Sequence, residues 1–273
     1  MTRQLFFLAA TAVLAHAQIS GPDVRVYKTV GTTNLTAHIF RPQGSDRIAR
    51  PAIVLFHGGG WVAGSPEWVY DAAKRYAGYG AVAVAAEYRL SDQKTITPLD
   101  AMSDARDIIR WMRRNAAVLG IQPDRIAVYG VSAGGQLATS LSTLDAIPNA
   151  MVLISPAVSV SHDGWFQKIL LDRASAIDIS PDEHVTKDLP PTAIFVGGAD
   201  TLTPAKWTKR FCDLMNERGG HCEIQIYPGV GHLFTRKLDN QEDDFDPDPK
   251  VVLDARQKGD QFLAERGFLI IAK

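Results

Sequence analysis

Short, continuously apolar runs that alternate with longer helix-patterned segments constrain this chain most. The runs are Ala52–Phe56, Ala81–Ala86, Met151–Ile154 and Thr192–Val196, and Arg125–Val131 and the mixed Glu223–Tyr227 continue the series of short strand-like segments. A strand with one face in water alternates polar and apolar residues, whereas a strand buried on both faces reads as an uninterrupted apolar stretch. Helical patterning falls between the runs, over Glu67–Tyr79, Leu99–Leu119, Gly134–Leu144, Ala205–Arg218 and Val251–Arg266, with Gly80 and Gly120 closing the first two. Gly at those positions suits a helix terminus. The pattern predicts an α/β fold, a mostly parallel sheet covered by helices on both faces. Val24–Val30 and Asn34–Arg41, joined at Gly31, read as an antiparallel pair at its edge. No repeat or linker divides residues 18–273, which are expected to form one domain. Residues 157–190 are too long for a single crossover helix and read either as a binding loop or lid, or as a helix with a long tail.

Charge narrows the partners. With 29 Lys+Arg against 30 Asp+Glu, the formal charge is −1. No long basic run exists to meet a phosphate backbone, so nucleic acid is not an expected partner. Residues 1–17 combine a basic start, the apolar run Leu5–Leu14 and the small-residue site Ala15-His16-Ala17. This describes a secretory signal peptide, because the run is shorter than the ~20 residues needed to span a bilayer. A secreted or periplasmic protein without a membrane span is the expectation. Export allows Cys212 and Cys222 to pair as a structural disulfide, the alternative being two separate buried thiols.

The chemistry starts at Gly130-Val131-Ser132-Ala133-Gly134, a G-x-S-x-G placed where a strand turns into a helix. The turn holds the serine in a strained conformation, and the flanking glycines relieve crowding. Directly after the strand Ala52–Phe56 comes His57-Gly58-Gly59-Gly60-Trp61. Successive glycines let main-chain amides converge on a developing oxyanion, and Gly59, Gly60 and Ala133 are the candidate donors. A phosphate cradle would need a following G-K-[ST], which is absent. A serine hydroxyl also needs a base, and the base needs an orienting carboxylate. Among the seven histidines, only His232 follows a strand by a few loop residues, at the carboxyl end where such sheets gather their chemistry. By the same rule Asp200, in the loop after Thr192–Val196, is the carboxylate, with Asp163 and Asp172 as rivals. The acidic run 242–248 reads as a solvated loop and matches no EF-hand spacing.

These motifs, together with Glu87-Tyr88-Arg89-Leu90, Leu189-Pro190-Pro191-Thr192, Gly198-Ala199-Asp200-Thr201-Leu202 and Tyr227–Phe234, resemble the α/β-hydrolase superfamily. The likeness is to its esterase/lipase branch, which includes hormone-sensitive-lipase-like carboxylesterases and secreted acetyl- or feruloyl-esterase-like enzymes. It implies Ser132 as nucleophile, Asp200 as acid, His232 as base, and neither metal nor cofactor. Val131 stands where many relatives carry an acidic residue, which alters pocket polarity. The stretch before the first strand is short once the leader is removed, so any lid falls to residues 157–190. The expected reaction is hydrolysis of short-chain or carbohydrate-linked (acetyl or feruloyl) esters through an acyl-enzyme. The alternatives are a serine peptidase on the same scaffold, which usually carries an extra domain, and a non-catalytic binding protein, which predicts a broken triad or oxyanion loop. Trp61, Trp165 and Phe166 are candidates for the pocket lining.

Overall fold

A computed structural model describes residues 21–44, 48–143, 146–243 and 245–271. The leader at 1–17 lies outside the described residues. The apolar runs and the edge pair become strands β1 (Asp23–Val30), β2 (Thr33–Phe40), β3 (Arg50–Phe56), β4 (Val82–Ala86), β5 (Ile121–Val131), β6 (Ala150–Ile154), β7 (Thr192–Gly197) and β8 (Cys222–Tyr227). They form one sheet in the order β1-β2-β4-β3-β5-β6-β7-β8. β1 pairs antiparallel with β2 and β2 with β4, while every remaining pairing is parallel. The crossovers carry α1 (Tyr70–Gly78), α2 (Pro98–Arg114), α3 (Ala116–Leu119), α4 (Ala133–Ser140), α5 (Gly164–Ile169) and α6 (Ala205–Glu217), and α7 (Pro249–Glu265) closes the fold.

Side chains along the central strands alternate between two cores. Val54, Phe56, Val84 and Val128 face Met102, Ile108, Ile109 and Met112 of α2, Leu137 of α4 and Phe211 of α6. Ile53, Leu55, Ala83 and Ala127 face Ala73 and Tyr76 of α1 and Phe262 and Leu263 of α7. Both faces are dry, so the period-two signal disappears from the sequence and only a continuous apolar run remains. The first two sequence-based helical segments differ in form from the structure. The first helical segment opens as a 3₁₀ turn, Pro66–Val69, before α1. The second breaks at Asn115, where ψ is 17°, and resumes as α3 before Gly120 ends it at φ 68°.

Residues 157–190 hold α5 and two 3₁₀ turns, Ala176–Ile179 and Pro181–Glu183. Phe166, Ile169, Leu170, Ala176 and Val185 are buried in the same core as α2. This segment is therefore packed onto the body of the fold.

Cys212 of α6 and Cys222 of β8 are joined by a disulfide with a Cα–Cα distance of 5.3 Å. Closing a ten-residue loop removes unfolded-state entropy worth about 2–3 kcal/mol. Replacing both cysteines with serine is expected to lower the melting temperature by about 5–10 °C in a thermal melt. Turnover at 25 °C should persist, because the bridge lies at the amino end of β8, away from the carboxyl rim.

Candidate active site

Ser132 occupies the single residue between β5 and α4, with φ 52° and ψ −117°. Such a conformation costs a non-glycine residue about 1–3 kcal/mol. The surroundings hold it there: the Ser132 amide donates to the Ile154 carbonyl at 2.9 Å, and its own carbonyl accepts from Gly135 and Ala157. Glycine is needed on either side for close approach. A Cβ at Gly134 would lie 2.3 Å from the Phe56 carbonyl oxygen, and one at Gly130 would lie 2.6 Å from the Gly134 carbonyl oxygen. α4 can thus seat its first turn directly on the ends of β3 and β5.

The loop leaving β3 folds back on itself, with the Gly59 carbonyl accepting from the Val62 and Ala63 amides at 3.1 and 3.0 Å. Among the described residues, no protein acceptor bonds the amide N–H groups of Gly59, Gly60 or Ala133. Ala133 opens a helix, where first-turn amides lack an intrahelical partner. Free donors beside a serine are what a tetrahedral oxyanion requires. Trp61 anchors this loop: its indole N–H donates to Gln136 Oε1 of α4 at 3.2 Å. The Ser91 amide in turn donates to the Trp61 carbonyl at 2.7 Å. His57 also serves the loop itself. Its Nδ1 lies 2.6 Å from the Gly58 carbonyl oxygen, and its ring stacks on Tyr88 at 4.3 Å. Tyr88 donates its hydroxyl to the His57 carbonyl at 2.9 Å. Burial holds the His57 imidazole below the ordinary histidine value, which favours its neutral form.

The carboxyl ends of β7 and β8 bring the remaining groups. His232 Nε2 lies 3.0 Å from Ser132 Oγ, and its Nδ1 lies 2.9 Å from Asp200 Oδ2. The Asp200 and His232 side chains are 0% and 4% exposed, so water does not compete for their contact. Asp200 Oδ1 accepts from the Leu202 and Thr203 amides at 3.0 and 2.8 Å. Thr203 adds its hydroxyl, 2.8 Å from Asp200 Oδ2 and 3.0 Å from the Ser155 carbonyl oxygen. Ser132, Asp200 and His232 therefore meet on one rim, with Ala133 next to Ser132 and Gly58 packed close enough that a Cβ on it would lie 3.1 Å from Ser132 Cβ, while His57 and Trp61 hold the loop that carries Gly59 and Gly60.

The rivals have other partners. Asp163 caps α5 by accepting from the Trp165 and Phe166 amides, and Asp172 is exposed. His38 bonds Tyr70, His162 stacks on Trp207, His184 meets the Asp178 carbonyl and His221 pairs with Glu223. His16 lies outside the described residues. In the acidic run, Asp246 pairs with Arg236 and Asp248 caps α7. Among the described residues, no cluster of three His, Cys, Asp or Glu could hold a metal ion, and no helix is long and apolar enough to cross a membrane. Of the expected lining aromatics, Trp61 packs against Phe166 with ring centroids 4.6 Å apart, while Trp165 is 44% exposed.

Sequence reasoning did not find Gln136, Ser155, Thr203 or Gln241. Gln136 lies one helical turn after Ser132, and Thr203 immediately precedes the Pro204 that opens α6. Both positions were visible signals. Ser155 and Gln241 carried none, since only tertiary structure brings them to the rim.

A parallel sheet with a serine on a strand-to-helix elbow, an imidazole and carboxylate from later loops, and free amides in the loop after β3 and at the start of α4, defines the α/β-hydrolase class. A family model described as alpha/beta hydrolase fold matches residues 53–171. The chain is similar to Thermogutta terrifontis esterase 2 phosphoramylated by tabun, with 31% identity, 94% of this chain and 98% of that chain covered, and a TM-score of 0.82. The butyrate-bound form of that esterase aligns with a TM-score of 0.81 at 31% identity, over 93% of this chain and 97% of that one. The carboxylesterase/phospholipase LipF of Mycobacterium tuberculosis is 28% identical over 77% of this chain, which spans 63% of the LipF length. The chain belongs to the esterase/lipase branch of the α/β-hydrolase superfamily.

Proposed function

We propose that this protein is a serine carboxylesterase that cleaves esters of short-chain acids through an acyl-enzyme on Ser132. The observation that carries the reading is the unbroken path Ser132 Oγ, His232 Nε2, His232 Nδ1, Asp200 Oδ2, with contacts of 3.0 and 2.9 Å. Along it, His232 takes the Ser132 proton as Oγ attacks the ester carbonyl. Asp200 keeps the imidazole in the tautomer whose Nε2 can accept, and it stabilises the imidazolium that forms. The carbonyl oxygen gains charge facing the Gly59, Gly60 and Ala133 amides, already oriented and unengaged. Collapse expels the alcohol, which takes the proton from Nε2. A water then repeats the sequence and releases the acid.

Short acyl groups are favoured by the likeness to Thermogutta terrifontis esterase 2, which has propionate-bound and butyrate-bound forms. The leader pattern at 1–17 and the Cys212–Cys222 disulfide both favour export. Outside the cell, acetyl or feruloyl esters on carbohydrate are the natural class of substrate. The test is a panel of p-nitrophenyl esters of rising chain length, run beside acetylated xylan and methyl ferulate, with a fluorophosphonate probe mapped by mass spectrometry. Highest kcat/KM on the two- to four-carbon acyl esters and a single adduct on Ser132 are the expected results. Absence of an adduct at Ser132 would overturn the reading.

A further inference from the structure

Gln241 sits on the loop beyond His232, at the head of the acidic stretch, yet it is only 5% exposed. Its primary amide makes four contacts, and three of them reach the two loops that carry Asp200 and His232. Oε1 accepts from the His232 amide at 2.8 Å and from the Thr201 amide at 3.1 Å. Nε2 donates to the Ala199 carbonyl at 2.9 Å and to the Leu238 carbonyl at 3.3 Å. The orientation of the amide is therefore determined, because turning it over would set donors against donors and acceptors against acceptors. The residues immediately before and after Asp200, and the main chain of His232 itself, are tied to one planar group.

The fit leaves no slack. A Cβ on Gly231 would lie 2.5 Å from both Cδ and Oε1 of Gln241, so the residue before His232 must be glycine for the amide to enter. Asp200 and His232 come from separate loops, after β7 and β8. Their own mutual contact is the 2.9 Å bond between Nδ1 and Oδ2. Main-chain bonds also join the two loops, from the Gly198 amide to the Tyr227 carbonyl at 2.7 Å and from the Ala199 amide to the Val230 carbonyl at 2.9 Å, and Thr203 Oγ1 lies 3.2 Å from His232 Nδ1. The two main-chain bonds end short of the catalytic pair, whereas the Gln241 amide bonds His232 itself and both neighbours of Asp200.

We infer that Gln241 is a positioning residue that sets the distance and angle between Asp200 and His232, and through them the readiness of Ser132. The inference rests on the proposed triad for its effect on turnover, but not for its effect on the Asp200–His232 contact. Displacing a reacting group by about 1 Å can cost about 10²-fold in rate. Gln241→Met keeps the side-chain length and removes all four hydrogen bonds. Gln241→Glu keeps the two acceptor contacts and loses the two donor contacts.

The experiment measures kcat and KM per probe-labelled serine for these variants, alone and with Asp200→Asn. It also follows the downfield proton NMR signal of the histidine Nδ1–H, assigned by its loss in His232→Gln. Gln241→Met is expected to lower kcat about 10–100-fold with KM unchanged. Gln241→Glu should fall between it and the parent, and the Gln241→Met cost should nearly vanish on the Asp200→Asn background. The downfield signal should broaden or move in Gln241→Met while the dispersed methyl spectrum persists. An unchanged downfield signal in folded Gln241→Met would overturn the inference, as would kcat losses that multiply fully with Asp200→Asn. If the parent lacks turnover but the signal still moves, the esterase reading fails and the positioning role stands. Should Gln241→Met not fold, Gln241→Glu decides by the same signal.

Discussion

Ser132→Ala is expected to lose on the order of 10⁶-fold in kcat on a short-chain p-nitrophenyl ester, with the fold intact. The argument is structural as well as chemical. Ser132 Oγ lies 3.0 Å from Nε2 of the buried imidazole, and its carbonyl and amide are held by Ala157, Gly135 and Ile154 irrespective of the side chain. The free amides at Gly59, Gly60 and Ala133 remain in place, so a residue of rate enhancement over water should survive. A second substitution at the same position separates chemistry from stability. The backbone there, φ 52° and ψ −117°, strains any residue with a Cβ. Ser132→Gly should be as inactive as Ser132→Ala, yet melt about 2–4 °C higher, because about 1 kcal/mol of strain is released. Steady-state kinetics and thermal melts on the two variants settle both points. Turnover by Ser132→Ala above a hundredth of the parent rate would move the nucleophile elsewhere.

Asp200→Asn should cost about 10⁴-fold in kcat while leaving the melting temperature close to the parent. The four acceptor contacts of Asp200 explain why. Oδ1 is held by two main-chain amides, of Leu202 and Thr203, which can meet only an oxygen. An asparagine must therefore place its carbonyl oxygen there and turn its NH₂ toward His232. Nδ1 then has to accept rather than donate, and the imidazole proton moves to Nε2, the atom that must take the Ser132 proton. The base is disabled by its tautomer, with the geometry preserved. Thr203 can rotate its hydroxyl to the Ser155 carbonyl, 3.0 Å away, so no buried donor is stranded. A loss in kcat below tenfold, measured on protein with the parent melting temperature, would assign the orienting role to another group.

Sequence by itself carried much of this protein. The continuous apolar runs predicted a two-faced parallel sheet because strands dry on both sides keep no polar positions. The elbow glycines, the glycines after β3 and the loop positions of Asp200 and His232 followed from local rules: close backbone approach, free amides, and chemistry at strand ends. Helix boundaries were less legible. The break at Asn115 separates α2 from α3 without a glycine or proline to announce it.

What only the tertiary structure decided has a common physical origin. Residues 157–190 could be read as a lid or as a crossover because apolar periodicity does not say which core a side chain joins. In the structure Phe166 packs against Trp61 and joins the core with α2. Gln241 adjoins the acidic run 242–248, which reads as a solvated loop because composition reports an average environment and not the fate of one side chain. Its burial, and the clamp it closes around Asp200 and His232, arise from loops that are distant in sequence and meet at one end of the sheet. Local motifs specify which atoms can react. The distances between them depend on long-range packing, which no short stretch of sequence encodes.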